Sequence, residues 1–172
     1  MSFRKEKFMS LAGITAVEHP LEELKSMSRG LLNDGIHGIC FSAYDEGQQP
    51  GDELTEAQVR RKLSILKPHI SWVRTFSCTE GNEFIAQIAK EMGIKTLVGA
   101  WLGDDLEKNE AEIAGLIALC KQGVVDVAAV GNEVLYREDL EASTLVEYIE
   151  RVKAEVSGVP VGYVDAYYEF TD

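Results

Sequence analysis

The sequence predicts an α/β chain in which short parallel strands alternate with amphipathic helices. Three observations carry that expectation. Apolar runs of strand length recur between Gly35 and the C-terminus, segments of helical periodicity lie between them, and glycines, prolines and capping residues mark the boundaries.

Taken in order, Leu21 to Asn33 has helical spacing at Leu21, Leu24, Met27, Leu31 and Leu32, and Asp34-Gly35 closes it. The first strand candidate is GICFS (38–42). Thr55 and Gln58 then form a capping box before a helix whose apolar residues Val59, Leu63 and Leu66 share one face, ending near Pro68. WVRTF (72–76) is the second strand, followed by a helix from about Asn82 that turns Phe84, Ile85, Ile88 and Ala89 inward and stops at Gly93. TLVGAW (96–101) precedes a helix from Glu107 to Gln122, which buries Ile113, Leu116, Ile117 and Cys120 and stops at Gly123. Asp104 and Asp105 read as its acidic first turn, favoured by the helix dipole. VVDVAAV (124–130) is the fourth strand, and the helix after it spans Thr144 to Val156, with Thr144 and Glu147 as a second capping box. VPVGYV (159–164) is the fifth strand. The five runs are mostly apolar on both faces, as in a parallel sheet covered on both sides.

Each β/α unit takes roughly 25 to 35 residues, the pace of a (β/α)₈ barrel, which needs about 250 in all. At 172 residues the chain has room for five strands of such a barrel. A doubly wound open sheet also fits the length, although no GxGxxG loop follows the first strand. No linker, charge block or repeat beyond the β/α unit interrupts the chain, so residues 1–172 read as a single domain.

The formal net charge of −12 disfavours nucleic acid and anionic membranes, and is compatible with a neutral sugar polymer. Cys40, Cys78 and Cys120 form no CxxC pair, and His19, His37 and His69 are scattered, so neither metal nor cofactor is expected. The N-terminus, MSFRKEKFMSLAGITAVEHP, lacks the apolar core of a signal peptide, and no apolar run is long enough to span a membrane. With an odd number of thiols, this reads as a cytoplasmic protein.

The chemistry concentrates in VAAVGNEV (127–134), where an apolar fourth strand meets Asn132 and Glu133. In a barrel the C-terminal strand ends face the active site. GNEV in this place resembles the acid/base signature of retaining barrel glycosidases, and the whole segment closely resembles that of family 17 glycoside hydrolases, the β-1,3-glucanase type. GICFSAY (38–44) is similar to the family's first-strand segment, WVRTFSC (72–78) to the second, where Arg74 matches a basic residue, and TLVGAWL (96–102) to the third. The resemblance covers about 35–168 and is closer to the bacterial branch.

It implies a partial (β/α)₈ TIM barrel with strands 1–5 parallel, acting on β-1,3-glucan by double displacement. Glu133 would be the general acid/base, its pKa raised by burial in the barrel mouth and by a second carboxylate. Asn132 would donate to the sugar 2-hydroxyl, and Tyr44, Asp45, Arg74, Trp101, Asp165 and Tyr167 would bind substrate from the strand ends. The family's nucleophile is a Glu after the seventh strand in a Glu-Thr/Ser-Gly-Trp-Pro type segment that this sequence lacks, and Glu169 does not match it. The chain alone is therefore expected to be inactive and to associate through open barrel edges, with a missing C-terminal segment or a second copy. Two other readings are a glucan transglycosylase and a non-catalytic carbohydrate-binding or assembly protein derived from a truncated barrel.

Overall fold

The computed structural model describes residues 19 to 170, which divide into two compact units between Ile36 and His37. In the first, helix α1 (Leu21–Asp34) carries Leu21, Met27, Leu31 and Leu32 exposed and buries no residue. Residues 1 to 18, the segment without a signal-peptide core, lie outside the described residues.

The sheet is built from β1 (Ile36–Cys40), β2 (Ile70–Arg74), β3 (Lys95–Ala100), β4 (Val127–Asn132) and β5 (Val161–Val164). The strands run parallel in the spatial order one to five, so β1 and β5 are its edges among the described residues. Register pairs Leu97 with Val127 and Ala100 with Val130 across β3 and β4, and Ala128 with Val161 across β4 and β5. The first two strands begin and end two residues earlier than the apolar runs indicated. Phe41 and Phe76 contribute their apolar surface to the rim rather than to the ladder.

Helices α2 (Glu56–Leu66), α3 (Glu83–Met92), α4 (Leu106–Lys121) and α5 (Ala142–Glu155) follow β1 to β4 in turn. Thr55 caps α2 by accepting from the Gln58 amide at 3.3 Å, but the reciprocal half of the box does not form, because the Gln58 side chain donates to the Ala43 carbonyl at 2.7 Å. Gly93 ends α3 at φ 74°, the left-handed conformation expected of it. Asp105 is the N-cap of α4 rather than part of its first turn, accepting from the Glu107 and Lys108 amides at 3.1 Å. The capping box expected at Thr144 and Glu147 is absent, since α5 begins at Ala142 and places Thr144 inside its first turn.

The core lies where α4 and α5 cover the central strands. Val98 and Ala100 of β3 and Ala128 and Val130 of β4 meet Ile113, Leu116 and Leu119 of α4 and Leu145 and Val152 of α5, all buried. Cys78 and Cys120 join this cluster while Cys40 is exposed. Burial pushes the Cys120 thiol up to about 11, and pushes Cys78 well above the ordinary thiol value. Both therefore stay protonated when the unfolded thiols would ionise. The stability this confers is complete below the ordinary thiol value of 9.0 and is lost as the pH rises toward 11. At neutral pH one thiol per native chain, Cys40, should react with a thiol-specific disulfide reagent, and three after unfolding. A rapid second equivalent from the native protein would contradict the packing described.

Candidate functional site

The C-terminal strand ends gather the residues singled out above. At the end of β4 the ladder with β5 shifts register between Ala129 and Asn132. Gly131 sits in that irregularity at φ 88°, where a Cβ would lie 2.7 Å from the Val134 side chain, so a larger residue fits neither the backbone nor the space. Glu133 follows at φ 53°, uncommon for a residue with a side chain. Its amide donates to the Val164 carbonyl at 2.8 Å and its carbonyl accepts from the Arg137 amide at 2.9 Å. The backbone is thus pinned on both sides while the carboxylate is exposed, not buried as expected: the left-handed turn carries the side chain off the end of the strand into solvent.

Asn132 is held by Arg74 from the end of β2, whose Nη2 donates to Asn132 Oδ1. A guanidinium has only donors, so the amide oxygen faces Arg74 and the NH₂ group is left for a ligand. Arg74 also lies 4.8 Å over the Phe76 ring, and its buried Nε has no partner among the described residues. Arg137, which the sequence reading did not single out, ties the same region together. It donates to the Asn132 carbonyl, to the Leu102 carbonyl at 2.8 Å and to Asp139 at 2.7 Å, and stacks 4.4 Å over the Trp101 ring.

Asp165, just past β5, accepts from the Leu135 and Tyr136 amides at 3.2 and 3.3 Å, from the Ala166 amide at 2.6 Å and from the Tyr163 hydroxyl. That carboxylate fastens the loop after Glu133. Burial and the hydrogen bond to Asp165 raise the Tyr163 phenol well above its ordinary value, which keeps it a donor. Asp45 is gripped by Arg61 at 2.8 and 2.9 Å and by Lys62 at 3.1 Å, and both cations lower its pKa. Tyr167 is 78% exposed in a short 3-10 turn (Tyr167–Phe170) and stands edge-on to Tyr168.

Tyr44 and Trp101 face a cleft of about 270 Å³ at the ends of β1, β2 and β3. Phe41 and Phe76 complete its aromatic walls, and Glu80 and Lys108 supply charge. Behind it, Glu112 of α4 is fully buried and accepts from Ser77 Oγ at 2.5 Å, Thr79 Oγ1 at 2.6 Å and the amides of Cys78 and Trp101 at 2.8 and 3.1 Å. One carboxylate therefore fixes the exits of both β2 and β3. Among the described residues no group of three or more His, Cys, Asp or Glu is placed to hold a metal ion.

The profile of the BtgE/BtgC glycoside hydrolase domain matches residues 38–172. The chain belongs to this glycoside hydrolase family. Curated relatives agree: glucan 1,3-beta-glucosidase BGL2 of Candida albicans is 29% identical over 95% of this chain and 55% of its own length. A glucan 1,3-beta-glucosidase of Schizosaccharomyces pombe is 28% identical over 88% of this chain and 50% of its own. A solved family 17 β-1,3-glucanosyltransferase from Rhizomucor miehei superposes with a TM-score of 0.67 and 28% identity, covering 80% of this chain and 52% of that one. The same Rhizomucor enzyme is solved as an active-site mutant in complex with laminaritriose. The chain thus has the sheet and helix order of a family 17 barrel segment, and spans about half the length of the relatives it matches.

Proposed function

We propose that this glycosidase domain acts on β-1,3-glucan by a retaining double displacement in which Glu133 is the general acid/base. The observation that carries the reading is the Asn132-Glu133 pair at the end of β4, with the Asn132 amide turned by Arg74 so that its NH₂ group can meet a sugar hydroxyl. In such a mechanism the acid protonates the glycosidic oxygen while a second carboxylate about 5 to 5.5 Å away attacks the anomeric carbon. Tyr44 and Trp101 would pack against sugar faces, and Tyr167 would extend that surface beyond β5. Arg74 orients Asn132, while Asp45 and Asp165 hold the loops that carry the contacts. A second carboxylate at that distance from Glu133 is what this mechanism requires of the complete active site.

The test is to incubate the native gene product with laminarin and follow the anomeric protons of the first products by NMR. Initial release of the β-anomer is expected. No cleavage, or initial release of the α-anomer, would overturn the reading. A transglycosylase is favoured as a second reading by the glucanosyltransferase similarity, and products longer than the starting oligosaccharide at high substrate concentration would identify it.

A further inference from the structure

A residue with a side chain keeps a left-handed conformation only where its surroundings over-determine the backbone. At Glu133, φ 53°, three hydrogen bonds do so. One is made by its own amide, which donates to the Val164 carbonyl at 2.8 Å. The other two come from Arg137, whose amide donates to the Glu133 carbonyl at 2.9 Å and whose Nη1 donates to the Asn132 carbonyl. Those carbonyls belong to the peptide units on either side of the Glu133 Cα. Arg137 therefore fixes both ends of the φ/ψ pair that aims the carboxylate.

The guanidinium is itself anchored to a different strand. Its Nε and Nη2 meet Asp139 Oδ2 at 2.7 and 2.5 Å, Nη2 also donates to the Leu102 carbonyl at 2.8 Å, and its centre lies 4.4 Å from the Trp101 ring centroid. Trp101 and Leu102 stand just past β3, and Leu102 is fully buried, so the anchor point is rigid. Asp139 balances the charge. A lysine ammonium could not do the same, because only the planar fork of arginine reaches three separate acceptors while lying against a ring.

We propose, resting on the reading of Glu133 as the acid/base, that Arg137 is the positioning residue of that acid. It ties the left-handed turn to the end of β3, so that the carboxyl stays aimed at the glycosidic oxygen. Misplacing a reacting group by about 1 Å can cost on the order of 10²-fold in rate, which sets the scale of the effect.

The test compares Arg137→Met and Arg137→Lys with wild type in the native gene product. Turnover of laminarin should fall at least tenfold in Arg137→Met, turnover of an aryl β-glucoside with an acidic leaving group less than threefold, and Arg137→Lys should lie between wild type and Arg137→Met. Hydrogen exchange resolved at single amides gives a second readout. The Glu133 amide should exchange at least tenfold faster in the variants, while the Ala128 amide, which donates to the Pro160 carbonyl at the other end of β4, should keep its wild-type rate. Should Arg137→Met not fold, the same contrasts are read on Arg137→Lys. Unchanged laminarin turnover, equal losses on both substrates, or unchanged exchange at Glu133 would overturn the proposal. The two readings fail separately. If wild type cleaves laminarin and the Arg137 variants match it, only the positioning role falls; if exchange at Glu133 responds to Arg137 but wild type never cleaves laminarin, only the acid/base reading does.

Discussion

Glu133→Gln in the native gene product lowers turnover of laminarin by a factor of about 10² to 10⁴, the usual worth of a positioned general acid. The substitution keeps the size of the side chain and removes only the proton that the leaving oxygen needs. An aryl β-glucoside with an acidic leaving group needs little protonation, so its first step should slow much less. That contrast separates loss of acid catalysis from loss of fold, which would harm both substrates equally. Added azide should partly restore the variant's turnover of the aryl substrate, since a small nucleophile needs no general base. A variant as active as wild type on laminarin would remove Glu133 from the mechanism.

Glu112→Ala should destabilise the domain by roughly 3 kcal/mol or more, since each buried donor left without its acceptor costs about 1–3 kcal/mol. Two hydroxyls and two backbone amides converge on this carboxylate, and alanine would leave all four donors buried without their acceptor. Glu112→Gln keeps one acceptor oxygen but turns an NH₂ group toward donors, so it should fall between wild type and alanine. Urea unfolding of the three proteins gives the order directly. A loss under about 1 kcal/mol for alanine would mean that water replaces the carboxylate at little cost.

The sheet and helix order was legible in the sequence because each element repeats a physical period: mostly apolar runs for covered strands, spacings of three and four for helices. What misled was short-range chemistry. Thr144 and Glu147 have the spacing of a capping box, yet the same pair fits inside a first turn, and nothing local says which. Glu133 and its neighbour stood out because polar residues abruptly end an apolar run. Glu112 went unnoticed because a glutamate in a helix usually faces water. The available signal was its spacing of four and seven residues from Leu116 and Leu119, which places it on the buried face. Arg137 carried no such mark. Its role follows from a loop conformation and from a partner 35 residues away in the chain, which no periodicity encodes.

The left-handed turn at Glu133 also bears on how such a domain ages in evolution. Glycine or asparagine would occupy that conformation with less strain than glutamate, by roughly 1 kcal/mol. Selection for stability alone would therefore not retain glutamate at position 133. On the proposed acid/base role, a lineage that no longer needed that role would gain stability by drifting to Gly or Asn there while keeping the same sheet. The identity of that one residue then becomes a marker that distinguishes working copies of this domain from retired ones.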